Sequence, residues 1–170
     1  GSALADTAVN WTAPGDGSSF PVGTIVNPQG QASGIGTYGG TGLDLMLVID
    51  TSGSMMYGGL AAAKTASIAL INALPDLTTQ VGIVEFDSDA NVYRQLQDLT
   101  SNKSALIAAV TSLGAYGGTN IGAGIHAATI ELTSSRAIAG HAKMQVVLSD
   151  GATSYPSYAY SEATAAAALG

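Results

Sequence analysis

Three short apolar segments stand out along the chain, at residues 43–49, 81–86 and 144–148. Each is rich in branched residues and shorter than an ordinary helix, which is typical of strands buried on both faces of a parallel sheet. Asp44 alone interrupts the first segment. Residues 91–96 mix apolar and polar positions instead, so we predict a short edge strand there that runs antiparallel to its neighbour.

Ala-rich segments with helical patterning lie between and after these strands. We predict four helices, at residues 60–74, 102–113, 121–132 and 158–169. Pro75 ends the first helix, and Thr100, Ser101 or Asn102 can cap the second. Strands that alternate with helices in this way predict an α/β fold, with a Rossmann-like, mostly parallel sheet flanked by helices on both faces.

Residues 1–42 differ in composition from the rest of the chain. They contain three prolines, many glycines and short β-like pieces at residues 8–12 and 22–26, so we predict an N-terminal extension with short strands. Gly1-Ser2 is typical of a cloning remnant, and a natural leader could precede it. Residues 34–39 match the dinucleotide pattern G-x-G-x-x-G but precede a strand, so we interpret them as a flexible lead-in.

The composition limits the classes of partner. The formal net charge is −7, and the five basic residues are scattered, whereas a nucleic-acid surface needs a basic stripe. No apolar run approaches the roughly 20 residues of a membrane span. We therefore expect neither nucleic acid nor a membrane span. The absence of cysteine excludes disulfides and thiolate metal sites, and few lysines with abundant small residues fit a secreted or surface-exposed bacterial protein.

Oxygen-bearing side chains follow the first apolar strand. Asp50, Ser52 and Ser54 stand at alternate positions on a loop whose single glycine permits a sharp turn. Open α/β sheets bind ligands at the carboxyl ends of their strands, and hard cations such as Mg²⁺ prefer oxygen ligands. The same residue types also cap helices, so the three residues alone are open to that interpretation as well.

The string Asp50-x-Ser52-x-Ser54, followed by Thr119 and then Asp150, resembles the metal-ion-dependent adhesion site of von Willebrand factor A domains. The resemblance covers residues 43–170 and implies that fold, with these five residues at a divalent cation. The resemblance implies that the bound cation is Mg²⁺, with Mn²⁺ or Ca²⁺ as alternatives. In that family the hydroxyls usually contact the metal directly, and the aspartates often act through bound water.

Two carboxylates and three hydroxyls leave the coordination of a divalent cation incomplete. The resemblance implies that an Asp or Glu carboxylate of a protein partner completes it, so we expect a metal-dependent adhesion or protein-binding domain. The alternative is a structural or assembly subunit of a surface fibre or complex, in which the metal site docks a neighbour or stabilises the fold. A metal-assisted hydrolase is the least favoured interpretation, since no general base or hydrolase motif accompanies the loops.

Several features stay open. Asp87 and Asp89 follow the second strand, where they fit either a solvated turn or a role behind the metal ligands. His126 and His141 stand in no metal or catalytic pattern, so we assign them no role. Von Willebrand A domains normally continue with two more strands and a helix. We therefore expect residues 43–170 to be C-terminally incomplete, with an exposed sheet edge that another chain or segment could cover.

Overall fold

A computed structural model of the chain describes residues 8–13, 29–33, 42–151 and 153–168. It contains two compact units, residues 1–39 and 40–170. In the first unit, β1 (Ala8–Ala13) and β2 (Gln29–Ser33) pair in an antiparallel two-stranded sheet. A strand at residues 8–12 was predicted and β2 was not. The predicted piece at residues 22–26 lies outside the described residues.

The second unit is built around a sheet that, within the described residues, has four strands in the order β5-β4-β3-β6. These are β3 (Leu43–Asp50), β4 (Thr79–Phe86), β5 (Ala90–Asp98) and β6 (Ala142–Leu148). Strand β3 pairs in parallel with β4 and β6, whereas β5 runs antiparallel to β4. The predicted α/β fold with a mostly parallel sheet and one antiparallel edge strand is confirmed.

The described helices lie on both faces of this sheet. They are α1 (Gly59–Ala73), α2 (Leu99–Ser112), α3 (Ile121–Leu132) and α4 (Pro156–Ala167). Successive side chains of a strand point to opposite faces. Leu45 and Leu47 of β3 therefore pack in a core with α1 and α2, whereas Met46 and Val48 pack in a second core with α3. Strand β3 is buried on both sides, as its apolar run predicts.

Helix α2 begins earlier than predicted. Its N-cap is Asp98, whose Oδ1 accepts a hydrogen bond from the Ser101 backbone N–H at 2.8 Å. The predicted caps, Thr100, Ser101 and Asn102, lie inside the first turn, so that prediction was wrong. A carboxylate at the cap satisfies a free N–H group and also carries a charge that the helix dipole favours. Chiefly through the Ser101 backbone bond, this arrangement lowers the pKa of Asp98.

Strand β6 is not the fully buried strand that its composition predicts. Met144 is 49% exposed and Val147 is 40% exposed. The reason is its place in the sheet, because β6 is the last strand of the described order and has β3 as its only neighbour there. The prediction of complete burial was therefore wrong. The expected exposed edge is present in the described part of the chain.

The amino-terminal end of β3 carries the buried carboxylate of Asp44. Its Oδ2 accepts a hydrogen bond from the Ile138 N–H at 2.8 Å, and its Oδ1 lies 2.8 Å from His141 Nδ1. Since a carboxylate only accepts hydrogen bonds, Nδ1 is the donor. His141, to which the sequence analysis gave no role, thus helps to fasten the connection between α3 and β6 to the centre of the sheet. His126 of α3 makes a similar contact with Glu162 of α4 at 2.9 Å.

Glu131 is a second buried acid that joins separate elements. Its Oε1 accepts hydrogen bonds from the Leu96 N–H of β5 at 2.9 Å and from Arg136 Nε at 2.6 Å. Arg136 Nη2 donates to Oε2 at 2.7 Å. The hydrogen bonds from Arg136, before all other causes, lower the pKa of Glu131 from its ordinary value of 4.5.

Replacement of Glu131 by glutamine is expected to make the stability of the domain less sensitive to acid. A carboxyl with a lowered pKa in the folded state stabilises the fold above the unfolded pKa, and this contribution disappears as the pH falls through the folded pKa. We expect Glu131→Gln to cost about 2 kcal/mol of unfolding free energy at about pH 7, and the difference from wild type to shrink towards about pH 3. Urea unfolding followed by circular dichroism measures both values. A difference that does not change with pH would contradict the role of the charge.

Candidate metal centre

The loop after β3 brings one carboxylate and two hydroxyls together. The carboxylate of Asp50 is fully buried, and its Oδ1 accepts a hydrogen bond from the Ser52 N–H at 2.8 Å. This bond closes a tight turn of the kind that aspartate favours. Ser52 Oγ lies 3.1 Å from Ser54 Oγ. A short 3₁₀ helix follows, and Gly58 at φ 106° allows the chain to turn into α1.

The loop before α3 is tied to this first loop by backbone hydrogen bonds. The Gly53 N–H donates to the Gly117 carbonyl at 3.1 Å, and the Tyr116 N–H donates to the Thr51 carbonyl at 2.7 Å. Because backbone groups make these bonds, they hold the two loops side by side whatever the side chains do.

The same loop is also tied to the end of β4. The Asn120 N–H donates to the Asp87 carbonyl at 2.7 Å, and the Gly118 N–H donates to Ser88 Oγ at 2.9 Å. Gly117 has φ 81°, and a Cβ there would lie 2.8 Å from Asp87 Oδ2. Both facts favour glycine at this position. The ends of β3 and β4 and the loop before α3 therefore form one connected edge.

The end of β6 reaches Asp50 through Ser149, a contact that the sequence analysis missed. Ser149 Oγ donates a hydrogen bond to Asp50 Oδ2 at 2.6 Å. The parallel register pairs Ile49 with Leu148, so the next residues along the chain, Asp50 and Ser149, lie side by side. Aligning the carboxyl ends of the two apolar strands in the sequence would have indicated this contact.

Thr119 and Asp150 lie on loops that belong to this edge. The Thr119 carbonyl accepts a hydrogen bond from the Ser154 N–H at 2.8 Å, which joins the loop before α3 to the segment after β6. Asp150 is exposed and lines a cavity of about 420 Å³ beside α1 and the end of β6. Neither side chain is hydrogen-bonded to Asp50 among the described contacts, so their metal role stays a prediction.

Asp50 carries a buried charge without a cationic neighbour. No Lys, Arg or His side chain, all of which the structure describes, lies within 4.0 Å of its carboxylate. Its hydrogen-bond donors, the Ser52 N–H and the Ser149 hydroxyl, are neutral. A buried carboxylate without a counter-charge is costly. A cation would supply the missing charge, and the carboxylate and hydroxyl oxygens fit a hard one such as Mg²⁺.

The described residues offer no alternative centre made of charged and imidazole ligands. Among them, no three His, Asp or Glu side chains are grouped so that they could hold a metal ion. An ion bound at Asp50 would therefore depend on the hydroxyls of Ser52 and Ser54 as well as on carboxylates.

Asp87 and Asp89 form a turn of their own. The Asp89 N–H donates to Asp87 Oδ1 at 3.1 Å, and the Asp87 N–H donates to the Asp89 carbonyl at 2.9 Å. Both line a small cavity of about 110 Å³ together with Thr51, Glu85 and Tyr116. These contacts support the turn interpretation, and a role behind the metal ligands stays a prediction.

Comparisons with known proteins agree with this fold. The family described as the von Willebrand factor type A domain matches residues 44–169. A comparison with curated proteins found no match. In the part of the chain that the structure describes, no helix is both long enough and apolar enough to cross a membrane.

Three solved structures illustrate the likeness. An aerotolerance-related membrane protein from Bacteroides fragilis is 24% identical, with a TM-score of 0.66 over 76% of this chain and 64% of that one. A von Willebrand factor type A structure from Catenulispora acidiphila is 24% identical, with a TM-score of 0.65 over 79% and 32%. The pilus adhesin SpaC from Lactobacillus rhamnosus GG, in an open conformation, is 25% identical, with a TM-score of 0.56 over 66% and 15%.

This chain spans less than two thirds of the length of each of these structures. The first two likenesses, at 24% identity, concern the fold alone. The family match covers most of the sequence, from β3 to the end of α4, and it confirms the predicted domain family, whereas the five metal-site residues stay a prediction. The chain belongs to the von Willebrand factor type A domain family.

Proposed function

We propose that this chain is a metal-dependent protein-binding domain of a secreted or cell-surface bacterial protein, and that it binds its partner without catalysis. A divalent cation, Mg²⁺ first and Mn²⁺ or Ca²⁺ as alternatives, binds at the five predicted residues, Asp50, Ser52, Ser54, Thr119 and Asp150. An Asp or Glu carboxylate of the partner completes its coordination.

The observation that carries this proposal is the buried carboxylate of Asp50, which lacks a cationic neighbour and is followed on the same loop by two hydroxyls 3.1 Å apart. The cation, when bound, supplies a positive charge and coordination positions that the protein does not fill. Since three of the five proposed ligands are neutral, the site retains affinity for one more carboxylate. Ser54 is exposed, so a partner can reach this part of the loop from solvent.

The comparisons support the same class of function. SpaC is a pilus adhesin, and the Bacteroides fragilis protein is a membrane protein. A similar domain in such proteins favours adhesion and a location at or beyond the cell surface for this chain.

Calorimetric titration of the metal-stripped chain with Mg²⁺ tests the proposed site. We expect saturable binding of a single ion, and we expect EDTA to remove it. Bridging of a partner carboxylate by the metal ion is tested by NMR titration with the peptide Ac-Gly-Glu-Gly-NH₂. We expect the peptide to bind with a dissociation constant on the order of millimolar, and only when Mg²⁺ is present.

Ac-Gly-Gln-Gly-NH₂, which has the same size without the charge, is the control peptide. A chain that binds no Mg²⁺ contradicts the metal site. A chain that binds Mg²⁺ but does not distinguish the two peptides contradicts carboxylate bridging and favours a structural role for the ion.

The likeness to the pilus adhesin SpaC also favours an assembly subunit of a surface fibre as the second candidate function. In that case the metal site docks a neighbouring subunit or stabilises the fold, and the chain binds Mg²⁺ without distinguishing the two peptides.

A further inference from the structure

Ser149 makes two hydrogen bonds through one oxygen atom. Its Oγ donates to Asp50 Oδ2 at 2.6 Å, which is shorter than the 2.8 Å bond from the Ser52 N–H to Oδ1. A hydroxyl-to-carboxylate bond of this length belongs to the strong, charge-assisted class. The same Oγ accepts a hydrogen bond from the Gly151 N–H at 3.1 Å.

The first bond fixes the carboxylate of Asp50. Since Ser52 donates to one oxygen and Ser149 to the other, the carboxylate plane has a defined orientation. Each oxygen keeps one lone pair that no contact among the described residues uses. The Ser149 hydroxyl is neutral, so it orients the carboxylate without cancelling its charge. A lysine or arginine at this place would instead compete with a cation.

The second bond shapes the turn that presents Asp150. The Gly151 N–H folds back onto Ser149 Oγ across Asp150, and Gly151 takes φ 97°, which glycine tolerates without strain. The turn leaves the Asp150 side chain exposed at the edge of the sheet. One hydroxyl therefore contacts the first predicted metal-binding carboxylate and organises the backbone around the second.

We propose that Ser149 is a positioning residue of the metal site, which sets the orientation of Asp50 and the placement of Asp150 together. This inference rests on the proposed function. Groups that hydrogen-bond to a metal ligand commonly contribute 10- to 100-fold to metal affinity, although they do not touch the metal.

Mg²⁺ titration of Ser149→Ala and Ser149→Thr, with thermal unfolding of each in EDTA, tests the inference. We expect Ser149→Ala to weaken Mg²⁺ binding about 10-fold or more, because Asp50 loses its shortest hydrogen bond. Ser149→Thr keeps the hydroxyl and is expected to retain affinity within about 3-fold. The melting temperature in EDTA is expected to fall by a few degrees in Ser149→Ala, because a buried carboxylate loses a hydrogen bond, and to stay near the wild-type value in Ser149→Thr. All titrations are made at a temperature at which each variant is folded. Ser161→Ala, on the exposed side of α4, is the matched control for removal of a hydroxyl.

The possible results separate this inference from the proposed function. If the wild type binds no Mg²⁺, the proposed function fails and the role of Ser149 fails with it. If the wild type binds Mg²⁺ and Ser149→Ala binds it equally well, only the role of Ser149 is overturned. A loss of affinity that is seen only at temperatures at which the variant is partly unfolded, or that Ser149→Thr does not rescue, also overturns it. If Ser149→Ala does not fold, Ser149→Cys replaces it in the test. The cysteine thiol is a weak hydrogen-bond donor of similar shape, so we expect the same loss of Mg²⁺ affinity.

Discussion

Replacing Asp50 with asparagine is expected to reduce Mg²⁺ affinity by at least about 100-fold while leaving the metal-free domain no less stable than the wild type. Asparagine keeps the shape of the side chain, and its carbonyl oxygen can still accept the hydrogen bond from the Ser52 N–H. It carries no charge, so the cation loses an anionic ligand. For the same reason, the cost of burying an uncompensated carboxylate disappears from the folded state.

Two measurements check this pair of effects, Mg²⁺ titration by calorimetry and thermal unfolding in EDTA. Asp76→Asn is the matched control, because Asp76 is a partly exposed acid that pairs with Lys103 at the surface. Exposed pairs contribute little, so we expect this variant to differ from the wild type by less than about 1 kcal/mol and to bind Mg²⁺ normally. If Asp50→Asn retains the wild-type Mg²⁺ affinity, the metal site is elsewhere. If it unfolds in EDTA, the carboxylate has a structural role.

Much of the fold follows from patterns that lie within single segments. The apolar run at residues 43–49 forms β3, and the predicted helix at residues 121–132 has the observed limits of α3. Both features are local, because burial on two faces and helical periodicity are encoded in neighbouring residues. The exposure of Met144 and the cap at Asp98 are not local in this sense. The first depends on the position of β6 in the sheet, and the second on where β5 ends.

The candidate site divides in the same way. The grouping of Asp50, Ser52 and Ser54 follows from their alternate spacing on one turn, so the sequence predicts it. The contact with Ser149 depends on the parallel pairing of β3 and β6, so it is found only when the carboxyl ends of the two strands are aligned and not from either segment alone. The lack of a cation near Asp50 depends on where every basic residue lies in the folded chain. Thr119 was predicted through the family resemblance, and its metal role stays a prediction.

Strand β3 carries a buried carboxylate near each end, and the two carboxylates have different hydrogen-bond donors. Asp44 accepts hydrogen bonds from the Ile138 N–H and from His141 Nδ1, and the His141 side chain is 8% exposed. Asp50, six residues later, accepts hydrogen bonds from the Ser52 N–H and the Ser149 hydroxyl. At the rise of an extended strand, this separation is about 20 Å, so changes at one end should be nearly independent of the other.

Substitution by asparagine at Asp50 is expected not to lower the stability of the metal-free domain. At Asp44, the same substitution is expected to destabilise the domain. Asparagine at residue 44 would replace one acceptor oxygen of the carboxylate with an amide N–H₂ group, which is a donor. That group would face either the Ile138 N–H or His141 Nδ1, both of which now donate to Asp44. In one orientation the Ile138 N–H loses its acceptor, and in the other His141 must change its tautomer so that Nδ1 accepts. We therefore expect Asp44→Asn to lower the free energy of unfolding by about 1–3 kcal/mol. Urea unfolding in EDTA measures this loss, and titration below the unfolding transition should give the wild-type Mg²⁺ affinity. If Asp44→Asn is as stable as the wild type, or if it weakens Mg²⁺ binding, the two ends of β3 do not have the separate roles that their contacts imply.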